Sequence, residues 1–92
     1  MSDRARFINE LRELDPDEKV GDPADVRSCP LAWFYQAPMS DEHVAERGWV
    51  WGVDWQCRFI IAALSQFDSG RRMMPELDQL TAGECLEILE NL

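Results

Sequence analysis

Five prolines, at positions 16, 23, 30, 38 and 75, limit what this 92-residue chain can fold into. A proline inside a helix removes a hydrogen bond and clashes with the preceding turn, and it pushes the residue before it out of the α region. Regular elements must therefore fit between these points, and the first half of the chain is cut into short pieces.

The first piece reads as a helix. From Asp3 to Leu14, Phe7, Leu11 and Leu14 recur at helical spacing with Ile8 beside them, while Arg6, Glu10 and Glu13 take the other side. Ser2 or Asp3 can cap it, and Asp15-Pro16 ends it. Asp15, with Glu18 three residues on, opens a turn that Gly21 closes, and Asp22-Pro23 opens a short helix through Arg27. Residues 15–30 thus read as a series of tight turns. The segment between Pro30 and Pro38 is too short for periodicity to decide between helical turn and strand. Ser40-Asp41-Glu42 starts a helix that Arg47-Gly48 stops.

From Trp49 to Ile61 two periods compete. Trp49, Trp51, Val53, Trp55, Cys57, Phe59 and Ile61 alternate as in a strand, yet Cys57, Ile60, Ile61 and Leu64 fit a helix. A strand over the whole run is too long for a small domain. The expectation is an extended piece at 49–53 broken at Gly52, then a buried helix over about 54–67 with Asp54 as cap and Gly70 as stop. Met74-Pro75 leads into a turn that gives Leu77 and Leu80 to the core. Thr81-Ala82-Gly83-Glu84 is a capping box, followed by an apolar stripe of Cys85, Leu86, Ile88, Leu89 and Leu92. The sequence therefore predicts a single domain over residues 1–92, mainly α, with four to five helices. The alternative is α+β, with a short hairpin in the Trp-rich segment 31–61.

Charge narrows the function. Eighteen Asp and Glu face nine Lys and Arg, for a net charge of −9, and no basic residue follows Arg72. Such a surface repels phosphate and attracts basic surfaces. It argues against direct binding to nucleic acid or to an anionic membrane, and it permits a basic protein partner. No run approaches the ~18 apolar residues of a membrane span, and Asp3, Arg4 and Arg6 stand where a signal peptide would need an apolar core. A cytoplasmic location is expected. Eight of the nine basic residues are Arg, in keeping with coding bias in a GC-rich genome. Cys29, Cys57 and Cys85 are odd in number and form no Cys-x-x-Cys pair, which suits a reducing compartment and three small buried hydrophobes.

Catalytic chemistry finds little support. His43 is the sole histidine, so no site can use two from one chain, and a dyad with Cys29 or Cys57 lacks a polar context. Asp15 and Asp17 match the first and third positions of an EF-hand loop, but Val20 and Val26 replace its Gly and its bidentate Glu. No phosphate-binding glycine loop or nucleophile elbow is present. No enzyme activity, cofactor or metal is expected.

Two binding modes remain. Glu76, Asp78, Glu84, Glu87 and Glu90, with Asp15, Asp17, Glu18, Asp22 and Asp25, can imitate a phosphate backbone and occupy the Lys/Arg groove of a nucleic-acid-handling protein. Small size, net charge and Arg-over-Lys bias are together similar to phage-encoded inhibitors of bacterial defence, including anti-CRISPR proteins and DNA mimics. That similarity lies in composition and implies an acidic inhibitor or regulator with a basic partner. The second mode uses aromatics. Trp33, Phe34, Tyr35, Trp49, Trp51 and Trp55 fall within 23 residues. Most should form the core, with Trp49 or Trp51, on either side of Gly52, exposed as an anchor for a partner or for a second copy in a homodimer. In that mode the acids serve solubility only.

Overall fold

Ser2 starts the fold by accepting a hydrogen bond from Ala5 N through its hydroxyl, which caps α1 (Asp3–Glu13). The computed structural model describes residues 2–67 and 79–92. Among these, α1 is followed by β1 (Lys19–Gly21), α2 (Pro30–Tyr35), α3 (Asp41–Glu46), α4 (Trp55–Phe67), β2 (Leu80–Thr81) and α5 (Ala82–Glu90). Five helices and one two-stranded antiparallel sheet make this a mainly helical fold. Phe7 and Leu11 are the buried residues of α1. The Phe7 ring lies 5.0 Å from Phe34, 6.0 Å from Trp55 and, edge-on, 5.5 Å from Phe59. These aromatic contacts join α1, α2 and α4, and Leu80, Cys85, Ile88 and Leu89 close the core from the C-terminal side.

Three local expectations are corrected. Residues 22–27 form two successive turns in place of a short helix. Asp22 and Asp25 each accept from the backbone N–H two residues on (Ala24 at 2.8 Å, Arg27 at 3.0 Å), and this local bonding competes with helix formation. Residues 49–53 form a turn, with Gly52 at φ 79° and both Val53 N and Asp54 N donating to Val50 O. Asp54 supplies its carbonyl to Arg58 N at the start of α4, while its side chain accepts from Val50 N and tightens that turn. The alternating run beyond it winds into α4, burying Cys57, Phe59, Ile60 and Ala63. The hairpin considered for 31–61 is absent because Pro30 opens a helix there. Cys29 caps that helix, its Sγ accepting from Ala32 N at 3.3 Å.

The sheet joins segments distant in sequence. Lys19 pairs with Thr81 and Gly21 with Leu80, across a register irregularity. Gly21 also lets the 28–30 backbone pack closely on β1, since a Cβ there would stand 2.2 Å from Ser28 O. The capping box of α5 is present as read: Glu84 N donates to Thr81 Oγ1, and Glu84 Oε1 accepts from Thr81 N. The expected Gly70 stop, the Met74-Pro75 turn and Leu77 lie outside the described residues.

Candidate protein-binding surfaces

The two acidic ends of the chain meet at the start of α5. Ala82 N donates to Glu18 O at 2.9 Å and Gly83 N to Pro16 O at 3.0 Å, so the 15–18 turn sits directly on Gly83. Gly83 and Glu87 are four residues apart and share a helix face. Asp15, Asp17 and Glu18 therefore belong to a turn that touches the first turn of α5, the helix on which Glu87 and Glu90 are exposed. α1 runs antiparallel to α5, with Arg4 Nη2 donating to Leu89 O at 2.9 Å and satisfying a C-terminal carbonyl of α5.

The acids differ in what they do. Glu84 is held in the capping box, and Asp15 accepts from Asp17 N, as Asp22 and Asp25 accept within their own turns. These four carboxylates shape backbone while keeping their charge near the surface. Asp17, Glu18, Glu87 and Glu90 are exposed. Asp22 and Asp25 lie on the segment that follows β1. Glu76 and Asp78 lie outside the described residues, as do Arg71 and Arg72.

The aromatics divide in the same way. Trp55 packs on Phe7, and Trp49 is half-buried, its ring 5.1 Å from Tyr35 with the Arg47 guanidinium 5.1 Å from both rings. Trp51 is exposed on the 49–54 turn, together with Val50 and Val53. It lines an open groove of about 280 Å³ with Val26, Met39, Asp41, Ile60 and Leu64. The sequence reading missed Val50, Val53 and Ile61 as exposed apolar residues. The reading placed Val53 in an extended piece broken at Gly52 and Ile61 among the apolar residues of the buried helix over 54–67, and so marked neither as exposed.

Burial pushes all three thiols up from their ordinary range, and Cys85 is pushed up to about 12 by burial and then by the nearby charge of Glu84. They are held as neutral thiols. His43 Nδ1 lies 2.6 Å from Ser40 Oγ, which ties the imidazole to the cap of α3. Among the described residues no three His, Cys, Asp or Glu side chains converge to hold a metal ion, and no helix is long and apolar enough to cross a membrane.

The class defined by this geometry is a small, mainly helical, acidic domain. Comparison of the chain with family models, curated proteins and solved structures finds no match.

Proposed function

We propose that this chain is a non-enzymatic binding protein that docks on a basic protein surface, one that otherwise handles nucleic acid, and so inhibits or regulates its partner. The meeting of the 15–18 turn with α5 carries this reading, because it brings an acidic turn against the helix that bears Glu87 and Glu90. Carboxylates within a Debye length of about 8 Å act together on an approaching charge. They speed encounter with a basic surface and make the complex sensitive to salt. Tagged protein should retain basic proteins from a lysate at low salt and release them as salt is raised. Reversing Asp17, Glu87 and Glu90 to Lys should abolish capture while the protein still melts cooperatively at no lower temperature, since none of the three is buried. Undiminished capture by that variant would remove these acids from the reading.

A second reading is favoured by one observation. Val50, Trp51, Val53 and Ile61 are 56%, 43%, 69% and 47% exposed. Such a surface suits an adaptor or a homodimer contact, with the acids serving solubility. Binding there survives high salt, and Trp51→Ala weakens it by ~2 kcal/mol or more, as for an interface anchor. Sedimentation at rising concentration distinguishes self-association from a foreign partner.

A further inference from the structure

Asp3, Arg6, Glu10 and Glu13 follow one another at steps of three and four along α1, forming a single ridge. That ridge faces α2. At its N-terminal end the chain provides its own cation: the Arg6 guanidinium lies 5.4 Å from the Phe34 ring centroid and 3.4 Å from Asp3 Oδ1. Further along the aromatic face, Arg47 covers Tyr35 and Trp49. Trp33 breaks the pattern. The residue is 41% exposed, and among the described residues no guanidinium lies over its ring. It shares an open groove of about 290 Å³ with Glu10, Glu13, Leu14, Phe34 and Gln36, a lining that contains two carboxylates and no base.

We propose that this groove receives an Arg or Lys side chain from a protein partner. The cationic head lies between Glu10 and Glu13, and the aliphatic stem rests on Trp33 and Leu14. An aromatic face beside carboxylates attracts a cation through both the ring quadrupole and the formal charges. Glu10 and Glu13, three residues apart on one helix side, both line the groove. The chain makes a related contact of its own at the other end of the ridge, where the Arg6 guanidinium lies over Phe34 beside Asp3. A second copy of the chain is a poor occupant, because both molecules carry −9. The inference rests on the reading of a basic protein partner, but it uses a different surface from the α5 acids.

The test is titration with a short Gly/Ser peptide carrying arginine, followed by NMR at the Trp33 indole N–H and the Leu14 methyls, with Trp33→Phe to assign the indole. The expected result is a saturable shift at both reporters. Citrulline in place of arginine, or the pair Glu10→Gln and Glu13→Gln, should weaken binding about tenfold. Both glutamates are exposed, so circular dichroism should show an unchanged fold. Equal binding of the citrulline peptide, unchanged affinity of the double variant, or shifts confined to α5 would each overturn the proposal. Groove shifts that persist while lysate capture proves insensitive to reversal of Asp17, Glu87 and Glu90 would sink only the reading that rests on those acids. Salt-released capture with no groove shift would sink only this one.

Discussion

Gly21 shows how one residue can be required by its neighbours and not by its own conformation. A Cβ there would meet Ser28 O at 2.2 Å and Cys29 C at 2.9 Å, both backbone atoms with little room to move. Gly21→Ala should destabilise the fold by ~1–3 kcal/mol, the usual range for forced overpacking, as measured by urea unfolding. Cys85 gives a second prediction at this scale. Its folded pKa is raised from 9.0 to about 12, so the folded state holds the thiol proton where the unfolded chain has lost it. The stability contributed is fully present below pH ~9 and is lost as pH rises toward 12. Cys29 and Cys57 shift in the same direction. The melting temperature should therefore stay level through neutral pH and fall above pH ~9, and a thiol reagent at pH 8 should react only as the chain unfolds.

Among the elements, the helices are short and depend on their caps. α2 and α3 have six residues each, well under the ~12–15 that an isolated helix needs in water. Cys29 acts at once as core residue and as cap of α2, accepting from Ala32 N. Cys29→Ala should cost about 1 kcal/mol more than Cys29→Ser, because serine keeps an acceptor at that position; paired thermal melts would show it. Thr81 has the same role in α5, and Thr81→Ala should cost ~1 kcal/mol by leaving Glu84 N without its hydroxyl acceptor, while the backbone N–H at 81 keeps its bond to the Glu84 carboxylate. The α5 cap could be read in the sequence because its four residues are contiguous. The Cys29 cap could not, since sulfur is a weak acceptor and cysteine is rarely chosen for that position.

For the whole molecule, net charge and packing oppose each other. At −9 the folded chain repels itself, and added salt should raise its melting temperature by a few degrees before any binding is considered; a salt series by circular dichroism would measure it. No rise would mean that the charges are already balanced locally. The sequence by itself determined the helical class, the positions of α1, α3, α4 and α5, the short lengths imposed by proline, and the acidic surface. Those follow from periodicity, caps and composition, all carried within a few residues of one another. Tertiary structure decided the rest. It made a turn of residues 49–53, expected as an extended piece, while the helix expected over about 54–67 formed at Trp55–Phe67 and buries Phe59, Ile60 and Ala63, with Phe59 edge-on to Phe7 of α1. It paired Lys19–Gly21 with Leu80–Thr81, two segments too short to declare themselves as strands. It also placed the 15–18 turn on Gly83 and Trp33 beside Glu10 and Glu13, since which surfaces meet depends on contacts between residues far apart in the chain.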